Sequence, residues 1–289
     1  GSRGQFRLAE VMQTTEPLPD FLLHTGDIVY PDGARRRYGE RFFAPYRRLL
    51  ARVNFWPCLG NHDVEKDGSA PAYDEVFELP ANGPAGLAPG YSYWFDYASA
   101  RIVVIDSNLE RADDATLQNK VAPWLISVMS EPGPAWRFVA LHHPPYTVGK
   151  YQPDARIQRT LVPAFEQAGI DIVFSGHDHG YQRWQPMRGG RKAADGRGVM
   201  YVITAAGGAE LYEARPKDQW PDAVAFVDTE NVSFTQVTVD GLALTLRQFD
   251  ASGRKPDETR IKKTKPPTAP ATSPPTAPPT STCPASCAP

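Results

Sequence analysis

The sequence predicts an α/β domain. Short apolar runs alternate with longer stretches of helical periodicity, the pattern of sheet and helix in alternation. Four of the short runs end in loops that carry Asp, Asn or His. The last runs before residue 265 follow one another without a helix between them, which predicts additional, partly antiparallel sheet.

Taken in order, Gln5 to Gln13 places Phe6, Leu8, Ala9 and Met12 at helical spacing. Phe21-Leu22-Leu23-His24 reads as a buried strand that meets a loop at Gly26-Asp27. Tyr38 to Val53 predicts an amphipathic helix with arginines on its wet face. Phe55 to Leu59 is a strand running into Gly60-Asn61-His62-Asp63. Tyr91 to Tyr97 and Arg101 to Asp106 predict two strands around a turn, and Thr116 to Met129 a helix. Arg137 to Leu141 is a strand ending at His142-His143-Pro144-Pro145. Ile157 to Ala168 is a helix closed by Gly169. Ile170 to Phe174 is a strand ending at Ser175-Gly176-His177-Asp178-His179. Val199 to Ala206 is a further strand, and Val232 to Val239 with Leu242 to Phe249 a hairpin around Asp240-Gly241. From Lys265 the chain turns to Pro, Thr, Ala and Ser, so residues 1–264 are expected to form the folded domain and residues 265–289 an extended, disordered tail or linker.

Bulk properties narrow the function. With 31 basic and 33 acidic residues, no global field favours nucleic acid or an acidic membrane surface, so a phosphorylated ligand would need a local site. No run approaches 18 consecutive apolar residues, so no membrane span is expected. The three cysteines lack zinc-ribbon spacing; Cys58 reads as a buried thiol, and Cys283 and Cys287 as a short-loop disulfide or free thiols.

The chemistry is concentrated in the four loops. Asp27, Asn61-His62-Asp63, His142-His143 and His177-Asp178-His179 all follow strand-like runs, and the C-terminal ends of strands in an open α/β sheet share one edge. Carboxylate, amide oxygen and imidazole together suit zinc, iron or manganese. Gly26, Gly60 and Gly176 stand beside the candidate ligands and permit close backbone approach. Asp27 has two oxygens and can bridge two cations, while His177 and His179 can each serve a different one. Two metals about 3.5–4 Å apart form a clamp for in-line phosphoryl displacement.

The series GDIVY (Gly26 to Tyr30), GNHD (Gly60 to Asp63), VALHHP (Val139 to Pro144) and GHDHGYQR (Gly176 to Arg183) resembles the calcineurin-like metallophosphoesterases, and within them the purple acid phosphatase branch. The resemblance runs from Gln5 to Phe249. It implies a four-layer αββα sandwich of two mixed β-sheets flanked by helices, with the strand from Val199 and the final hairpin in the second sheet. It implies a phosphate-monoester hydrolase in which a metal-bound hydroxide attacks phosphorus. By the same resemblance Asp27 bridges both metals, and Tyr30 and His179 bind the first, an iron whose tyrosinate is the branch's mark. Asn61, His142 and His177 bind the second, a zinc, manganese or iron ion. His143 lies behind His142, or is the ligand in its place. His62 contacts the phosphate or protonates the leaving group, and Asp63 orients its ring. A small phosphorylated substrate and an exported, extracytoplasmic location go with the branch, and the Pro- and Thr-rich end of the chain suits a secreted or cell-surface linker.

Two departures from the family stand out. Its opening strand ends in Asp-x-Gly or Asp-x-His, and that Asp binds the first metal; nothing from Gly1 to Thr15 supplies it, and the first Asp is Asp20. The motif is expected before residue 1, leaving this chain without one ligand and one central strand. The branch also carries a substrate His between the third and last motifs, where this chain has none; Lys150, Tyr151 and Arg156 are the candidates to replace it. A diesterase with the same metals, and a catalytically incomplete chain that binds a single metal, are the competing readings.

Overall fold

The computed structural model describes residues 1–108 and 112–264. The expectations for residues 265–289, including Cys283 and Cys287, lie outside the described residues.

Fourteen strands are described: β1 (Phe21–His24), β2 (Asn54–Pro57), β3 (Tyr93–Tyr97), β4 (Ala100–Ile105), β5 (Trp136–Leu141), β6 (Ile172–Ser175), β7 (Tyr181–Trp184), β8 (Met187–Arg188), β9 (Arg191–Lys192), β10 (Met200–Thr204), β11 (Val224–Asp228), β12 (Ser233–Asp240), β13 (Ala243–Asp250) and β14 (Glu258–Lys262). Seven of them form one mixed sheet in the order β11-β7-β10-β6-β5-β4-β3. Its centre, β4-β5-β6-β10, is parallel, and its edges are antiparallel.

Side-chain alternation along the central strands builds two cores. Val103, Ile105, Val139, Leu141 and Val173 point to one face and pack against Leu125, Met129, Ile157, Leu161 and Phe165, from the helical segments between β4 and β6. Ile102, Val104, Phe138, Ala140 and Ile172 point to the other face. There they meet Phe21, Leu23 and Trp56 of the parallel pair β1-β2, and Val237, Val239, Leu244 and Leu246 of the antiparallel sheet β12-β13-β14. Leu22 and Phe55 turn away from that core into a third, filled by Ala9 of the first helix and by Phe42, Tyr46 and Leu49. The result is the expected four-layer αββα sandwich.

The first helix, Arg3–Thr14, begins where Ser2 Oγ accepts the N–H of Gln5 at 3.1 Å, which satisfies one orphan donor of the first turn. Among the described residues β1 pairs with β2 alone and β12 with β13 alone, so the second sheet layer is divided into two separate sheets. Asp20 adjoins the start of β1, at the end opposite the site.

One sequence expectation is corrected. The strand from Val199 does not join the final hairpin in the second layer; β10 lies between β6 and β7 in the seven-stranded sheet. Strands β7, β8, β9, β11 and β14 escaped the sequence reading. Tyr181–Trp184 is masked by polar Gln182 and Arg183, which are held by partners: the Arg183 guanidinium forks onto Asp257 at 2.7 and 2.8 Å. The segment Glu258–Lys262 alternates exposed and half-buried residues and lacks an apolar run.

Candidate active site

The four loops meet, but at the common end of two facing sheets. Asp27 follows β1 and Asn61 follows β2, while His142 follows β5 and His177 follows β6. The expectation that one sheet edge carries all four is corrected accordingly. Glycines allow the two pairs of loops to touch. Gly26 lies at φ +95°, where a side chain would be strained, and a Cβ there would come within 2.5 Å of His142 Nδ1 and 2.8 Å of the Gly60 backbone. A Cβ on Gly60 would collide with the N and Oδ1 of Asp27. Asp27 and His177 themselves take left-handed backbone conformations, at φ 57° and 66°.

Two groups of donor atoms converge, and they share one oxygen. In the first, the Tyr30 hydroxyl donates to Asp27 Oδ2 at 2.7 Å and lies 2.8 Å from His179 Nε2. In the second, Asn61 Oδ1 is 3.1 Å from His142 Nε2 and 3.0 Å from His177 Nδ1, and those two nitrogens are 3.3 Å apart. His142 Nε2 lies 3.4 Å from the same Asp27 Oδ2. The other Asp27 oxygen accepts the His62 N–H at 2.9 Å.

Backbone carbonyls fix which imidazole nitrogens are free. A carbonyl only accepts, so His142 Nδ1–H donates to Thr25 O at 2.7 Å and His179 Nδ1–H to Glu210 O at 2.6 Å. Nε2 of His142 then faces Asp27 Oδ2, and Nε2 of His179 faces the Tyr30 hydroxyl. His143 also brings a ring nitrogen within 4.8 Å of those on His142 and His177, and its Nδ1 pairs with Ser107 Oγ at 2.9 Å.

Charge follows this crowding. Burial works against ionised Asp27, but the His142 imidazole, the His62 N–H and the Tyr30 hydroxyl outweigh it and hold the carboxyl well below its usual range. Burial, reinforced by Asp27, drives the Tyr30 phenol far above its ordinary value. Burial also depresses His177, to about 4, and lowers His179, which favours the neutral rings that binding a metal would require. His142 is raised, because Asp27 outweighs its burial.

His62 is half-buried, and its ring lies 4.6 Å from that of Tyr30. Its Nδ1–H donates to Pro31 O at 2.6 Å, which leaves Nε2 free. Asp63 does not orient that ring, contrary to expectation. Its Oδ2 accepts Gly60 N–H at 2.9 Å and its Oδ1 accepts the N–H groups of Ile28 and Val29 at 2.9 and 3.4 Å, so it ties the first two ligand loops together. Asp178 has the same office between later loops. It accepts the Lys150 N–H at 3.0 Å and the Thr147 hydroxyl.

Two tyrosines pack on the candidate ligands. Tyr151 stacks on His177, with ring centroids 4.3 Å apart, and Tyr212 stacks on His179 at 4.2 Å. Tyr212 lies in a loop with no motif, so no sequence signal pointed to it.

Comparison with known proteins agrees with this geometry. Residues 3–181 match the family described as calcineurin-like phosphoesterase. Purple acid phosphatase 21 of Arabidopsis thaliana is 28% identical over 210 residues, covering 65% of this chain and 44% of that one. Acid phosphatase type 7 of Mus musculus is 24% identical over 236 residues, covering 68% of this chain and 50% of that one. The chain thus spans about half the length of these curated relatives. Among solved structures, purple acid phosphatase PPD1 from yellow lupin (Lupinus luteus) superposes with a TM-score of 0.75 over 90% of this chain and 49% of its own, at 18% identity. The chain belongs to the calcineurin-like phosphoesterases and, within that family, resembles the purple acid phosphatase branch.

Proposed function

We propose that this chain is a two-metal phosphoesterase that hydrolyses small phosphate monoesters. The observation that carries the reading is the sharing of Asp27 Oδ2 between two donor groups, Tyr30 and His179 on one side and Asn61, His142 and His177 on the other. The donors fit such ions in kind. A phenol, once deprotonated, would be a ligand for a hard ferric ion, and the amide–bis-imidazole set suits zinc, manganese or iron. Bound there, two cations would supply Lewis acidity and a water acidified toward neutrality.

The chain's own residues do the rest. His62 presents a free Nε2 beside the Tyr30 ring; once protonated there, it can contact the phosphoryl group or give that proton to the departing oxygen. Asp27 holds His62 from the backbone side, and Asp63 fixes the spacing of the loops that carry both. His143, turned toward Ser107, supports the His142–His177 pair from behind. An extracytoplasmic location accompanies this reading, on the Pro- and Thr-rich composition of residues 265–289. No described helix is long and apolar enough to cross a membrane.

The test joins metal analysis to turnover. The purified chain should carry two metals, show a broad visible absorption, and release 4-nitrophenol from its monophosphate faster than from the bis(4-nitrophenyl) diester. Two metals without colour would remove the iron–tyrosinate assignment, and faster diester cleavage would make the enzyme a diesterase. A second reading rests on an asymmetry: the first donor group offers Asp27, Tyr30 and His179, the second Asp27, Asn61, His142 and His177. Under that reading a single metal occupies the second group, and stoichiometry near one with no turnover would decide for it.

A further inference from the structure

The first helix reaches both loops that carry the unshared donors of the first group. Asp27 belongs to both groups, so Tyr30 and His179 are what the first group has to itself. The half-buried Arg41 donates from Nη1 to Tyr30 O at 3.0 Å. Gln5, in the first turn of the helix Arg3–Thr14, donates from Nε2 to Arg41 O at 2.9 Å. It also shares a hydrogen bond with the Tyr46 side chain.

The same turn touches the loop that holds His179. Ser2 Oγ donates to Gly208 O at 2.5 Å. Gly208 takes φ +119°, and a Cβ there would lie 2.7 Å from the Cβ and the N of Gln5, so the two backbones are in direct contact. Two residues on, Glu210 O accepts His179 Nδ1–H, and Tyr212 N–H donates to His179 O. Contacts therefore run from Tyr30 through Arg41 and Gln5 to Gly208 and the partners of His179. The ring closes where the Tyr30 hydroxyl meets His179 Nε2 at 2.8 Å.

Two observations set this ring apart from ordinary helix docking. Docking is served one turn further along the helix by Leu8 and Ala9, both buried, which need no polar contact from Gln5. Arg41 lies in a π-helical turn, Gly39–Phe43, where the Ala44 N–H reaches back to Gly39 O. Such a turn is rare and is found most often at functional sites. Within it Phe42 packs into the third core while Arg41 turns to Tyr30 O. The second donor group is held by other means, with His142 Nδ1–H on Thr25 O.

We propose that Arg41 and Gln5 are positioning residues: they set how Tyr30 meets His179, and with it the affinity of the first donor group for its ion, and they leave the second group alone. The word donor rests on the two-metal reading; the placement of the two side chains does not.

The experiment has two arms, both on the 289-residue chain. Without metal, long-range nitrogen–proton NMR spectra of the imidazoles report the contact of His179 Nε2 with Tyr30. Arg41→Ala and Gln5→Ala should each shift the His179 Nε2 resonance and leave those of His142 in place, and Arg41→Lys, which keeps a donor, should restore it. After loading with ferric iron and zinc, Arg41→Ala and Gln5→Ala should give up iron at about tenfold lower chelator concentration with zinc retained, while Arg41→Lys stays within about threefold of the unmodified chain. A purely structural role would lower the melting temperature and loosen both ions together. An unmoved His179 resonance, an equal shift at His142, or equal loss of both ions would each overturn the proposal. A His179 shift in a chain that never takes up iron keeps the brace and removes the two-metal reading. A chain that holds both ions with a Tyr30-dependent colour, indifferent to Arg41 and Gln5, does the reverse.

Discussion

Tyr212 lies flat on the imidazole of His179, with 4.2 Å between ring centroids and 9° between planes. The backbone N–H of the same residue donates to His179 O, so one residue fixes both the ring and the chain of a proposed ligand. Groups that orient a ligand in this way change metal affinity by about 10- to 100-fold when removed. Tyr212→Ala should weaken metal at the first donor group by roughly tenfold on that scale, while Tyr212→Phe, which keeps the stack, should stay within about threefold. Competition with a chelator of known affinity measures both.

Asp63 makes a prediction about stability. Its carboxylate serves the backbone N–H groups of Gly60, Ile28 and Val29, all buried. Replacing it with Ala leaves these donors without an acceptor, and each such loss costs about 1–3 kcal/mol. Asp63→Ala should lower the unfolding free energy by about 3 kcal/mol or more, read from the urea midpoint, because more than one donor is orphaned at once. A change under about 1 kcal/mol would mean that water or rearrangement satisfies those groups.

Gly60 and Gly207 form a matched pair for testing how closely the loops approach. A Cβ at Gly60 runs into the backbone N and Oδ1 of Asp27, whereas one at Gly207 meets nothing within 4 Å. Gly60→Ala should cost about 1–3 kcal/mol and displace Asp27, so metal content falls with stability. Gly207→Ala should leave the urea midpoint within about 0.5 kcal/mol of the original.

The fold and the residues of the candidate site were legible in the sequence for a physical reason: central strands buried on both faces are continuous apolar runs, and each ends abruptly at a polar loop. Val139 to Leu141 before His142 is such a case, as is Phe21 to Leu23 before Asp27. Pairing between sheets was not legible, because nothing local distinguishes the sheet of β1 from that of β5; contacts between residues distant in the chain, such as Thr25 O with His142 Nδ1, join them. Side-chain roles that depend on a neighbour's direction were also hidden. The sequence proximity of His62 and Asp63 suggested a pair, yet the two bind different backbone partners, His62 the carbonyl of Pro31 and Asp63 the N–H groups of Ile28 and Gly60. Strands such as Glu258–Lys262 left no apolar trace because the sheet edge they form is half wet.

Metal removal and Tyr30→Phe together test the dinuclear assignment most directly. Tyr30 and His142 both approach Asp27 Oδ2, at 2.7 and 3.4 Å, and each reports on a different donor group. Because a folded site binds metal and an unfolded chain holds it poorly, metal at 100 times its dissociation constant stabilises by about 2.7 kcal/mol. For a chain of this size that corresponds to a melting shift of about 5–10 °C, which a chelator should abolish. Tyr30→Phe should lose the visible band and part of that shift while the second group keeps its ion. His142→Ala should lose the other part and keep the colour. If either variant removed both metals and the entire shift, the two groups would bind as one cooperative unit through Asp27, and the single-metal reading would be excluded with it.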